Sequence, residues 1–270
     1  MFAFLLLLST AAGAIDPPPN GVEIPELRTR TATHFALPDG HRVAIVSSVP
    51  VHYRDADGRW QNIDLRFRQD ADGDDVVDGN ALILRSGPGG IAVSDQLGRG
   101  VLWQMSRRPD LIDGSEEVVD DNGLQWHYRP VRAGVKAEAV VSSARGPQTY
   151  SFPYALIGGA DDFTIDADGN AIIGGVLTVP RAQAYGADGN TYDPGPWAVA
   201  PGPSLQLVFD DSSLPAAAYP YRLDPTTTLP AVSDGGYISG SSSTYATARS
   251  TSTATVTGSY IRAGQEYYGS

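Results

Sequence analysis

VHYRDADGRWQNIDLRFR, residues 51–68, decides the fold class. Asp55-Ala56-Asp57-Gly58 is turn chemistry, with an Asp-Gly pair to supply the positive φ that a tight hairpin needs. On its far side Ile63, Leu65 and Phe67 alternate with Asp64, Arg66 and Arg68, the period of a half-buried strand running from Trp60 to Arg68.

The same grammar continues along the chain. Strands are expected at Val43 to Val46, Ala81 to Arg85, Val101 to Met105, Val135 to Val141, Thr149 to Ile157 and Leu205 to Phe209. Turns at Asn122-Gly123 and at 166–170 join Val118-Val119 to 124–129 and Phe163-Thr164-Ile165 to Ala171-Ile172-Ile173. No segment holds a 3.6-residue apolar period over three turns, so the expectation is an all-β, antiparallel β-sandwich-like fold rich in hairpins. At its end, Tyr219, Tyr221 and Leu223 alternate with Pro220, Arg222 and Asp224 before Pro225 removes a donor and stops the ladder.

Composition narrows the class. A net charge of −12 opposes binding to nucleic acid or anionic lipid. There is no cysteine, so disulfides, thiolate metal sites and cysteine nucleophiles are all excluded. Residues 1–14 read as an export signal: an apolar run from Phe2 to Leu8, then Ala12-Gly13-Ala14 as a small-residue cleavage pattern, although no Lys or Arg precedes the run. The run is too short to span a membrane, and a buried N-terminal strand is its alternative reading. Residues 15–40, opening on Pro17-Pro18-Pro19, are expected to be an extended segment, residues 41–225 the sandwich, and residues 226–270 the start of a second β-domain rich in Ser, Thr, Tyr and Gly.

Several phrases, taken in order, resemble the N-terminal region of large bacterial secreted proteins that carry a DNRLRE domain, and of wall-associated proteins with RHS repeats. VHYRDADGRWQNID (51–64), VKAE (135–138) and AYPYRLDPT (218–226) match the family's hairpin, strand and junction phrases, while SDGGYIS (233–239) and TYATARS (244–250) resemble the opening of the DNRLRE domain. Tyr221 and Arg222 depart from it, standing where the family has an aliphatic pair. The resemblance implies an extracellular, β-rich region with an appended module of carbohydrate-binding type, and no catalytic residues.

Candidate sites are few. Asp70, Asp72 and Asp74 alternate as in a calcium loop, but the glycine is fourth rather than sixth and no late Glu follows. A solvated hairpin tip is the better reading, with Ca2+ its alternative. The adjacent acids Glu116/Glu117, Asp120/Asp121, Asp161/Asp162 and Asp210/Asp211 are expected in surface turns, because neighbours on a strand point to opposite faces and cannot converge on one substrate. His34, His41, His52 and His127 lack metal-ligand spacing, and His52 and His127 are expected to face outward or to be hydrogen-bonded. Gly87-Pro88-Gly89-Gly90-Ile91-Ala92 mimics a dinucleotide fingerprint without the helix that it needs. Trp60, Trp103, Trp126 and Trp197 are expected to fill a core, leaving Tyr237, Tyr245 and Tyr260 of the tail for stacking on sugar rings.

The function these features suggest is the non-catalytic N-terminal region of an exported bacterial protein at the cell surface or outside it. Its role would be adhesion, binding of a polysaccharide or cell-wall glycan, or structural presentation. The alternatives are the leading region of an RHS-type secreted toxin and the ancillary part of a polysaccharide-degrading enzyme.

Overall fold

The computed structural model describes residues 17–47, 49–121, 123–132, 134–225 and 227–228, with the backbone alone at Phe4–Ser9, 121 and Thr227–Thr228. The tail tyrosines Tyr237, Tyr245 and Tyr260 lie outside these residues. The fold is all-β, and the chain divides into two units between residues 48 and 49.

In the first unit, Ala32–Ala36 and Arg42–Ser47 pair as an antiparallel hairpin, with Val22–Glu23 beside the former. Phe4–Ser9, in the apolar run at the start of the chain, is a strand paired in parallel with Arg42–Ser47. The expected boundary at residue 41 therefore cuts through a hairpin, and the segment 15–40 is not simply extended. The cause is the turn Leu37-Pro38-Asp39-Gly40-His41, which folds the chain back and sets buried Phe35 opposite buried Val43.

The second unit, residues 49–230, holds two large sheets and a small hairpin. Among the described residues the first sheet has eight strands. Their spatial order is Ala198–Ala200, Ser204–Asp210, Pro147–Ile157, Gly100–Gln104, Gly90–Ser94, Ile83–Gly87, Asp75–Val77 and Arg68–Gln69. The second sheet runs Asp110–Ile112, Glu116–Asp121, Leu124–Val131, Gly134–Val141, Thr227–Thr228, Leu177–Val179, Ala171–Ile173 and Thr164–Ile165. Tyr221–Asp224 also pairs with Gly134–Val141 and leads to Gln183–Tyr185 and Thr191–Tyr192. Tyr221–Asp224 does end at Pro225, as expected, but Thr227–Thr228 returns to the same sheet.

Period-two alternation builds the interior. Tyr150, Phe152 and Tyr154 of the first sheet share one core with Trp126, Tyr128, Val135, Ala137 and Ala139 of the second. Aromatic contacts cross between the layers: Trp126 meets Phe152 edge-on at 5.3 Å, Tyr154 meets Phe163 at 5.0 Å and Phe209 meets Tyr221 at 5.8 Å. Such contacts contribute about 0.5–1.5 kcal/mol each beyond area burial, which suits a domain with no disulfide to hold it. Trp103, Trp126 and Trp197 are core residues as expected, whereas Trp60 is half-buried on the small hairpin.

The dinucleotide-like glycines lie in a strand–turn–strand, Ile83–Gly87 into Gly90–Ser94. Gly90 has φ +121°, and a Cβ there would sit 2.0 Å from the Trp103 carbonyl oxygen, so close strand approach explains it.

Candidate functional site

The hairpin that decides the fold also borders a surface cleft. His52–Arg54 pairs with Trp60–Asn62 across the turn 55–59. His52, Arg54 and Trp60 share one face: His52 is buried edge-on to Trp60 at 6.5 Å, and the Arg54 guanidinium lies 4.4 Å over the Trp60 ring. His52 is thus not outward-facing. Tyr53 points the other way, into the cleft.

Beyond Asn62 the expected strand does not continue. Ile63, Leu65 and Phe67 do turn inward and Asp64, Arg66 and Arg68 outward, but after the Ile63 N–H to Val51 carbonyl bond the pairing passes from the hairpin to a single bridge between Asp64 and Gly79. Asp64 N–H donates to the Gly79 carbonyl at 2.7 Å, and a Cβ on Gly79 would meet the Asp64 carbonyl oxygen at 2.6 Å. Glycine is therefore required there. The chain bends away and leaves a cleft of about 520 Å3 lined by Tyr53, Asp64, Arg66, Phe67, Arg68, Asp78 and Gly79.

Its chemistry is mixed. Phe67 packs on the core from one side and borders the cleft with the other. Arg66 grips Asp64 through Nε at 2.9 Å and Nη2 at 2.5 Å, and its backbone N–H adds a third contact at 3.1 Å. These hydrogen bonds pull the Asp64 carboxyl down to about 2. Arg68 pairs with Asp78. Burial raises the Tyr53 hydroxyl, and Asp78 raises it further. Two aromatic rings thus stand beside two Arg–Asp pairs, each a planar group with donors and acceptors turned to solvent.

The other expected sites resolve differently. The carboxylates of Asp70, Asp72 and Asp74 gather around Arg85, whose Nη1 lies 2.6, 4.0 and 3.7 Å from them. A guanidinium occupies the place that a cation would take, and among the described residues no group of three or more acidic, His or Cys side chains is arranged to hold a metal. His127 is half-exposed, its Nδ1 3.3 Å from Glu116.

Two acids expected at surface turns are buried instead. Glu117 is fully shielded within a strand. Asp211, 1% exposed, accepts hydrogen bonds from Arg145 N at 2.9 Å, Gly146 N at 2.7 Å and the Tyr221 hydroxyl at 3.0 Å. Glu116, its neighbour on the strand, is part-exposed, as alternation requires, whereas Asp211 turns inward because it opens the 3-10 turn Asp211–Ser213 after the strand ends at exposed Asp210.

Sequence reasoning missed the cleft because it placed residues 60–68 in one strand. The signal lay in the run Arg66-Phe67-Arg68, a dense alternation of charge and ring with Gly79 downstream. Comparison with family models, with curated proteins and with solved structures finds no match.

Proposed function

We propose that this chain is a glycan-binding, non-catalytic region of an exported bacterial protein, and that the cleft between Tyr53 and Phe67 is where the sugar lies. The observation that carries the reading is the composition of the cleft. Aromatic faces suit the C–H face of a pyranose, and Arg–Asp pairs offer donors and acceptors to neighbouring hydroxyls. Its volume of about 520 Å3 and its open side suit a short segment of a chain rather than an enclosed small molecule.

Two further features support it. The apolar run at residues 2–8 followed by Ala12-Gly13-Ala14 fits export. Resemblance to the N-terminal regions of DNRLRE-domain proteins fits an extracellular setting, as do the phrases at 233–239 and 244–250 that resemble such a module.

The test is binding of purified protein to a panel of cell-wall and extracellular polysaccharides. Tyr53→Ala and Phe67→Ala should each weaken binding about threefold to tenfold, the loss of one stacking contact. Loss of binding on deleting residues 231–270, which leaves the second unit whole, with no effect of either substitution, would move the site to the tail.

A further inference from the structure

Glu117 is a carboxylate without a hydrogen-bond partner at 0% exposure. It sits in Glu116–Asp121, opposite Leu111 on one side and buried Tyr128 on the other, with its side chain turned to the first sheet. There it faces Asp75 and Ser86, which are paired across Asp75–Val77 and Ile83–Gly87. Arg108 and Asp110, from the approach to the same hairpin, complete the charged groups around it.

None of these is a cation free to pair with it. The Ser86 hydroxyl is the one neutral donor close enough to favour the charged form, and it lies outside good hydrogen-bond geometry, leaving both Glu117 oxygens unsatisfied. Arg108 is already committed: its Nη2 donates to Asp75 at 3.0 Å and to the Gly73 carbonyl at 2.7 Å. An ionised Glu117 would be a second buried negative charge beside Asp75. A proton on it removes that conflict.

We propose that Glu117 is a pH-sensitive latch between the two sheets: protonated, it lets residues 110–121 seat on strands 75–87, and on ionisation it releases them. Opening frees one proton to solvent. Burial first, then the Asp75 charge, raises the Glu117 carboxyl from its ordinary 4.5 to about 7 when the latch is closed. An opened Glu117 returns toward 4.5. The closed form therefore has its full advantage below about pH 4.5, loses it as pH rises toward 7, and loses no more above that.

The test is hydrogen–deuterium exchange of the full chain at pH 5 and pH 8, each variant compared at matched pH so that intrinsic rates cancel. In the wild type, the opening of residues 110–121 should rise on the order of tenfold or more between the two pH values. Glu117→Gln, isosteric and uncharged, should abolish that rise. Asp75→Asn should reduce it, because Arg108 is then free to pair with Glu117. Equal protection of the wild type at both pH values, or an undiminished rise in Glu117→Gln, would overturn the proposal. Should Glu117→Gln fail to fold, carboxyl NMR of Glu117 in the wild type decides: a midpoint near 7 supports the latch and one near 4.5 overturns it.

Discussion

At residue scale, the buried carboxylates Glu117 and Asp211 show how environment assigns opposite roles to one chemistry. Asp211 is satisfied by two backbone N–H groups and the Tyr221 hydroxyl, and its own carbonyl accepts from Tyr219 Oη at 2.9 Å. Those bonds tie the loop at 145–146, the turn at 211–213 and the last long strand into one knot. Hydrogen bonds to a charged acceptor contribute about 1.5–3 kcal/mol each, and orphaned partners cost more. Tyr221→Phe should therefore lower unfolding free energy by about 2 kcal/mol, and Asp211→Ala by about 3–5 kcal/mol, measured by urea denaturation. Glu117→Gln should go the other way at pH 8, raising stability, because it removes a charge that nothing pairs. For Glu116 and Glu117, a sequence can say that one of two adjacent acids on a strand faces inward. It cannot say which, because that depends on how the strand registers against a distant sheet.

At element scale, the recurring unit is a five-residue turn, seen at 37–41, 55–59, 70–74, 95–99, 166–170 and 186–190. In each, the first residue's N–H donates to the fifth carbonyl and the fourth residue, always Gly, donates back to the first. Only that glycine has positive φ, between +76° and +86°, so the turn is a three-residue loop closed by a glycine bulge. An Asp at the first position adds a lock. Asp55, Asp70, Asp95 and Asp166 each accept from the third and fifth backbone N–H groups. Arg59, Arg99 and Asn170 at the fifth position hold the other oxygen. Hairpins were thus legible from residue types alone, while the cleft was not, because the Asp64–Gly79 bridge that breaks the strand joins residues far apart in sequence. The turn at 70–74 is the exception that tests this logic: its fifth residue is Asp74, and Arg85 comes from the neighbouring strand to neutralise the three acids. Wild-type protein should show no shift in melting temperature with millimolar Ca2+. Arg85→Ala should melt lower in EDTA and recover on adding Ca2+, as three carboxylates lose their counterion and accept another; absence of recovery would mean that the turn cannot gather oxygens around a metal.

At the scale of the whole molecule, opposed titrations set where the second unit is most stable. Asp64, held to about 2 by Arg66, and Asp166, lowered by Asn170, stabilise the fold above about pH 4, and that contribution is lost as pH falls below their ordinary 3.8. Glu117 contributes in the reverse sense between 4.5 and 7. Melting temperature against pH should peak on the acid side of neutrality, near 4–5, and a plateau through pH 8 would contradict the assignment of Glu117. The architecture adds a second constraint. Thr227–Thr228 lies inside the second sheet, pairing with Gly134 and Val135 on one side and with Thr178 on the other, so it links the half built on 110–141 to the half built on 164–179. Pro225 looks like a natural end because it stops a ladder, yet the chain returns for this pairing. A protein ending at residue 225 leaves both flanking strands with open edges, whereas one ending at residue 230 closes them. The shorter form should lose about 1–3 kcal/mol, the net worth of a few ladder hydrogen bonds, and should exchange faster at Val135 and Thr178. Equal stability of the two forms would show that the halves of the second sheet are held together by the shared core alone, through Trp126, Tyr128 and Phe163, and that the strand after Pro225 is incidental.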